Sequence, residues 1–445
     1  MLCELLTFNT NHNILVTRGN QYIMKSNDYS LTYQGKKNKE DILKEPTFSL
    51  IELTKIELNK NDNWFNKIIW GDNIEALRNL ITTFKNSITL VYIDPPFSTN
   101  ETFKNRFQNH AYNDLLTGAE YIEFIRERLI LLKELLSDNG SIYVHLDNKM
   151  IFEIKIIMDE IFGSENFRNC ITRKKCNRKN YTKNQYGNIS DYILFYTKTS
   201  NYVWNRPSDK WSEEDVLREF PCIEESTGRR YKKVPLHAPG IRNGETGKPW
   251  KGLMPPIGKH WQYTPEKLDE LDRKGEIYWS PNGNPRRKHY YDEKNALPVQ
   301  DIWLDFKDIT NQNTIMTGYP TEKNAFLIDR IIEASSNEND LVLDCFSGSG
   351  TTVARAERLN RKWISIDIGL LSIKTTLQRL TEGAKSLKDI FEKYEQTLFP
   401  INDNPEILKH NCEILYVSNM EKEGILDLQN YLSLKEEIYP LAYAM

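Results

Sequence analysis

The residues best suited to chemistry stand in two short stretches, 250 residues apart. The first is Asp94-Pro95-Pro96-Phe97. Asp94 accepts hydrogen bonds through two oxygens, and a proline carbonyl turned the same way adds another acceptor. Phe97 offers a flat apolar face. Each proline fixes its own φ and lacks an N–H, and Pro96 restricts Pro95 as well, so the segment is stiff. A planar heterocycle carrying an exocyclic amino group fits such a corner. A plain rigid turn is the alternative that these four residues leave open.

The second stretch is Asp344-Cys345-Phe346-Ser347-Gly348-Ser349-Gly350-Thr351-Thr352. It reads as a strand end, a glycine-rich turn and a helix start, and its glycines let backbone approach a ligand closely. The third glycine of a dinucleotide fingerprint would fall at Val353, and no Gly-Lys-Ser/Thr follows. Both pyrophosphate-cradling motifs are thereby excluded. Asp367 lies 23 residues beyond Asp344, at the end of the next predicted strand. That spacing suits an acid that binds ribose hydroxyls. The ligand is therefore read as nucleoside-like, without a pyrophosphate. A third acid, Asp72, sits in Gly71-Asp72-Asn73 at a strand-to-helix junction, where capping the helix would also explain it.

Positioning these groups requires a parallel sheet. The run at 88–93 is apolar without alternation, as in a strand buried on both faces, and ligands bind at the carboxyl ends of such strands. Further strands are predicted at 67–70, 141–146, 167–175, 190–198, 341–344 and 363–367, with helices over 74–84, 121–136, 150–162, 325–334 and 353–359. His145 and Asp147 share one strand face, which suits structural support more than catalysis. The fold expected is α/β, doubly wound and mostly parallel, with a second domain inserted. Residues 1–60 read as an N-terminal extension, 61–200 as the first half of the catalytic domain, and 201–318 as the insert. Residues 319–381 form the second half, and 382–445 a helical tail.

The insert has a different texture, with glycine, proline, aromatic and basic residues crowded together. Arg286-Arg287-Lys288-His289-Tyr290-Tyr291 is one example, a mixture suited to phosphates and bases. Nearly 120 residues is too long for a structureless connection. Between Arg168 and Lys183 there are seven Lys or Arg and no acid. Arg173, Lys174, Lys175, Arg178 and Lys179 of this run, with Arg286, Arg287 and Lys288, are candidate phosphate contacts.

Composition is ordinary for a soluble chain, and the formal net charge of -3 in 445 residues conceals this uneven distribution. No apolar run is long enough to span a membrane, and the start lacks the blocks of a signal peptide. Six scattered cysteines give no CxxC pair, so neither a disulfide framework nor a metal site is expected, and a reducing cytoplasm is the simplest location.

In this order, Gly-Asp-Asn, Asp-Pro-Pro-Phe, Gly140-Ser141-Ile142-Tyr143-Val144-His145-Leu146-Asp147, Ile302-Trp303 and Asp-x-Phe-x-Gly-Ser-Gly-Thr-Thr resemble the β class of DNA amino-methyltransferases. The flanking sequence is similar to modification subunits of type III restriction systems. The resemblance covers about residues 30–380 and implies S-adenosylmethionine as methyl donor. It implies a circularly permuted methyltransferase sheet with the cofactor half late in the chain, and 201–318 as a target recognition domain. It implies that Asp94, Pro95, Pro96 and Phe97 are catalytic, with Phe97 stacking on a flipped base. Cofactor contacts would come from Asp72, Thr321, Lys323, Asp344, Phe346, Gly348, Gly350, Thr351 and Asp367. Among these, Asp72 would take the adenine amino group, Asp367 the ribose, and Thr321 and Lys323 the carboxylate. Tyr319, Glu322 and Asn324 depart from the family, where His, Gln and Pro are usual. Asp before Pro-Pro favours adenine N6 within the family, with cytosine N4 as the rival. A DNA-binding module without activity and an RNA methyltransferase are the further alternatives. Duplex DNA is the implied partner, a homodimer the implied assembly, and a restriction subunit would be a separate chain, because no nuclease or helicase motor is evident.

Overall fold

The computed structural model describes residues 17–18, 21–22, 30–96, 101–104, 110–114, 118–177, 184–292, 296–307, 315–316, 322–382, 385–386 and 408–436. They divide into two compact units. One comprises the chain up to Asn205 and from Gln300 onward; the other is Arg206–Val299.

The larger unit is built on a ten-stranded sheet. Its strands are β1 (Leu50–Ile56), β2 (Asn66–Trp70), β3 (Ile88–Ile93), β4 (Leu136–Leu146), β5 (Phe167–Lys174), β6 (Ser190–Thr197), β7 (Ile302–Trp303), β8 (Leu341–Asp344), β9 (Lys362–Asp367) and β10 (Cys412–Val417). Their spatial order is β7-β5-β6-β4-β3-β8-β9-β2-β10-β1. The run from β4 through β10 is parallel throughout; β6 lies antiparallel between β4 and β5, and β1 closes the other edge antiparallel. Every residue of β3 is buried, as suits a central parallel strand whose run is apolar except at Thr89.

Helices α1 (Asn73–Phe84), α2 (Gly118–Leu135), α3 (Ile151–Phe162), α4 (Ala325–Ser335), α5 (Thr351–Arg358), α6 (Leu370–Glu382) and α7 (Lys422–Glu436) accompany the sheet. Leu129, Leu132 and Leu135 of α2 join Ile154 and Ile157 of α3 and the inner faces of β3, β4 and β8 in one core.

Two boundary expectations need correction. The tail is not helical alone: β10 enters the sheet between β2 and β1. The leading extension also contributes, through β1. Both pairings are non-local, so neither is visible in a local pattern. Gly71 records the tail's insertion. Its φ is +151°, and a Cβ there would stand 2.3 Å from Val417 Cγ2 of β10.

The smaller unit is narrower than the 201–318 drawn from composition. Residues 302–303 pair with β5 in the larger unit. Within Arg206–Val299, a four-stranded antiparallel sheet contains Arg230–Pro235 and Pro285–Tyr290. Beside it, Leu236, Trp250, Trp261, Leu268, Leu271 and Ile277 form a separate core. Its chain ends run side by side, with Ser208 opposite Pro298 and the Val299 N–H donating to the Pro207 carbonyl at 3.0 Å.

Candidate active site

Four acids occupy the carboxyl ends of four neighbouring parallel strands. Asp344 and Asp367 are the last residues of β8 and β9, Asp94 follows β3, and Asp72 stands two residues beyond β2. The register pairs Leu343 with Val91, Asp344 with Ser365, and Asp367 with Trp70. The sheet therefore brings the Asp94 corner and the Gly348–Gly350 turn to one edge, although 250 residues separate them.

Each acid has different surroundings. Asp72 caps α1, accepting from the Ile74 N–H at 2.8 Å, and remains half exposed beside Arg128, 3.5 Å away. Asp367 binds the glycine turn directly. Its Oδ2 accepts from the Gly348 N–H at 2.8 Å and its Oδ1 from the Gly369 N–H at 2.7 Å. Lone pairs remain on both oxygens. Burial raises its pKa, against those hydrogen bonds.

Asp344 is nearly inaccessible, and burial pushes its pKa to about 7. Hydrogen bonds from Thr352 and the Phe346 N–H oppose the rise, while Asp94 and Asp367 add to it. Asp94 and Asp367 thus both lie near enough to Asp344 to disfavour its charge.

Asp94 is partly buried; Pro95 is buried and Pro96 partly so. Lys323 Nζ lies 2.9 Å from Asp94 Oδ2. The other oxygen, Oδ1, is buried and has no hydrogen-bond partner among the described residues. Lys323, which the resemblance assigns to the cofactor carboxylate, lies against Asp94 in the structure. Phe97 and Thr321 lie outside the described residues.

The glycine turn is supported from behind. Gly350 caps α5 at φ +72°, and a Cβ there would stand 2.6 Å from Thr376 Oγ1. Arg379, fully buried, donates to Glu322 Oε1 at 2.8 Å and to Thr351 Oγ1 at 2.9 Å. Phe346 packs against Phe124, with centroids 5.9 Å apart. The Arg128 guanidinium lies 3.5 Å from the Phe124 centroid, and burial lowers its pKa to about 10, against the pull of Asp72.

Sequence reasoning missed several of these. Arg128 Nε donates to Asn73 Oδ1 at 2.6 Å, and Asn73 Nδ2 to the Cys345 carbonyl at 2.8 Å, tying α2, α1 and the glycine turn together. Beneath Asp94, Tyr92 Oη and His145 Nδ1 are 2.8 Å apart, and His145 Nε2 is 3.0 Å from Asp191 Oδ2. Burial lowers the imidazole's pKa, with Asp191 opposing and Lys323 reinforcing the shift. The available signal was an acid and a base in the paired strands 167–175 and 190–198.

That network also corrects one candidate phosphate contact. Arg173 is fully buried; it binds both oxygens of Asp191 and donates to the Phe306 carbonyl at 3.0 Å. It cannot reach a phosphate. The alternation of β5 turns Ile171 and Arg173 inward, while Lys174 stays partly exposed. Lys175 is partly exposed too, and Arg178 and Lys179 lie outside the described residues. In the smaller unit, Arg286 is exposed. Arg287 bonds to Tyr263 Oη and lies 5.4 Å from its ring, and Lys288 pairs with Glu224 at 2.6 Å.

Among the described residues no group of His, Cys, Asp and Glu is arranged to hold a metal, no helix is long and apolar enough to cross a membrane, and Cys170, Cys176, Cys222, Cys345 and Cys412 are free.

A mostly parallel sheet with an acid-bearing proline corner beside a glycine turn, at the carboxyl ends of neighbouring strands, defines an α/β fold with one candidate site there. The chain belongs to the N6/N4 methyltransferase family of DNA methylases, which matches residues 88–377. It is 48% identical over 356 residues to the type II methyltransferase M.EcaI of Enterobacter cloacae, covering 80% of this chain and 77% of that one. It is 26% identical over 389 residues to the StyLTI Mod subunit, a type III restriction-modification enzyme of Salmonella typhimurium, covering 78% of this chain and 57% of that one. A solved structure described as an M1.HpyAVI–SAM complex overlaps 71% of this chain and all of that one, at 17% identity and a TM-score of 0.36.

Proposed function

We propose that the protein transfers a methyl group from S-adenosylmethionine to the N6 amino group of an adenine flipped out of duplex DNA at a specific sequence. The observation that carries this reading is the shared edge of Asp94-Pro95-Pro96 and the Asp344–Gly350 turn, joined through β3 and β8. The names of the relatives support a role in restriction-modification.

The residues present fit the donor. Asp367 and Asp72 are partly exposed carboxylates at adjacent strand ends, suited to hydroxyls and an amino group. Gly348 and Gly350, both at positive φ, bring backbone rather than side chains to the same place. S-adenosylmethionine supplies an electrophilic methyl on a sulfonium.

The chain must then make a poor nucleophile competent, since the lone pair of an aromatic amine is delocalised into its ring. Asp94 and the Pro95 carbonyl accept the two N–H bonds of that amine. This favours a tetrahedral nitrogen whose lone pair points away from the ring. As the N–C bond forms and the methyl's bond to sulfur breaks, leaving a neutral thioether, positive charge would develop on the nitrogen. The Asp94 carboxylate stabilises it from a fixed position, and the nitrogen then gives up one proton. The prolines hold both acceptors in place before the base arrives. An amino group inside a duplex cannot reach such a corner, so the base leaves the stack.

The test is methylation of duplex oligonucleotides with labelled donor, followed by digestion to nucleosides. N6-methyladenine is the expected product. N4-methylcytosine alone would replace adenine by cytosine at the same acceptors. Donor binding without transfer to any DNA or RNA would overturn the enzymatic reading.

A further inference from the structure

Lys323 stands on a backbone held from both sides. Before it, Glu322 is anchored by buried Arg379, which also grips Thr351 at the glycine turn. After it, Asn324 caps α4, its side chain accepting from the Phe326 N–H at 3.0 Å. Glu322 and Asn324 are the two described positions at which this segment departs from the resembled family, and both hold the backbone on either side of Lys323. The ammonium so placed lies 2.9 Å from Asp94 Oδ2, and the lysine side chain is about one-tenth exposed. The opposite oxygen, Oδ1, is buried without a partner among the described residues.

We propose that Lys323 is a positioning residue for Asp94: by holding Oδ2 it fixes the rotation of the carboxylate that meets the target amine. This rests on the methyltransferase reading above and replaces the cofactor-carboxylate role that the family resemblance implied for Lys323. An aspartate carboxylate turns about a soft terminal torsion. A charge-assisted bond to one oxygen stops that rotation and leaves the other oxygen without a competing protein donor among the described residues. Lysine suits the task because its ammonium is a point charge; the arginine fork bridges both oxygens of a carboxylate and would occupy Oδ1 as well.

The two roles for Lys323 separate in Lys323→Met and Lys323→Arg. Single-turnover methyl transfer at saturating donor and DNA is measured beside the donor Kd, with thermal melts confirming folding. Positioning predicts that Lys323→Met loses on the order of 100-fold in transfer rate, comparable to loss of one preorganised contact, while donor Kd changes less than threefold. Lys323→Arg keeps the charge yet recovers less than a tenth of the wild-type rate. A donor Kd raised tenfold or more in Lys323→Met, with Lys323→Arg near wild type, would instead assign the lysine to the cofactor carboxylate and overturn the proposal. Unchanged rate and Kd in both variants would overturn it as well. A wild-type protein inactive on every DNA would bring down the underlying reading and this role with it.

Discussion

Burial raises the pKa of two acids at the strand ends, Asp344 and Asp367. Asp344 ionises near 3.8 in an unfolded chain but at about 7 in the fold, chiefly through burial. Between those values the folded state carries a proton that the unfolded state has lost. Its contribution to stability is therefore full below about pH 4 and is lost as pH rises through 7, by at most about 4 kcal/mol. Asp344→Asn removes the titration. Its melting temperature should gain on the wild type from pH 5 to pH 8. A difference between the two proteins that is constant across that range would contradict the assigned environment. Asp94, Asp344 and Asp367 were legible in the sequence because each ends a short apolar run. The partners of Lys323 and Arg173 were not, since a basic side chain's contact depends on which strand folds beside it.

At the scale of elements, the central strands and the helices between them were readable from periodicity, and β3 most directly. The two sheet members at the chain's ends were not. Leu50–Ile56 is exposed or half-buried along its whole length, and Cys412–Val417 alternates irregularly; each becomes a strand only through a distant partner. β10 is nonetheless an interior strand, pairing with β2 on one side and β1 on the other. It also buries Ile414 and Val417. A chain ending at Glu382 should therefore lose the cooperative thermal transition of the full protein and expose apolar surface to a hydrophobic dye. A truncated chain melting cooperatively within a few degrees of the full length would show that the tail is dispensable.

At the scale of the molecule, charge is divided between surface and interior. Lys174 and Lys175 stay at the surface of the larger unit and Arg286 at that of the smaller, whereas Arg173 is locked to Asp191. Replacing Lys174 and Lys175 by Ala should weaken binding to all duplexes. It should also flatten the dependence of log K on log salt by about 0.9 for each phosphate contact removed. Arg173→Ala should instead destabilise the fold by about 3–5 kcal/mol, because it strands a buried carboxylate. An unchanged salt slope in the double lysine variant would remove those residues from the interface. The run of cations around 168–183 is plain in the sequence; which of Arg173, Lys174 and Lys175 faces solvent is decided by strand alternation and by Asp191.

The central claim is that an acid-bearing proline corner and a distant glycine turn make one methyl-transfer site. Its most direct measurement is single-molecule sequencing of DNA from cells expressing the protein, beside cells expressing Asp94→Ala. The account predicts N6-methyladenine at one recurring sequence in the first sample and none in the second, with the variant still folded and still binding S-adenosylmethionine. Methylation persisting at that sequence in Asp94→Ala, or absent from both samples while the wild-type protein is folded and present, would contradict it.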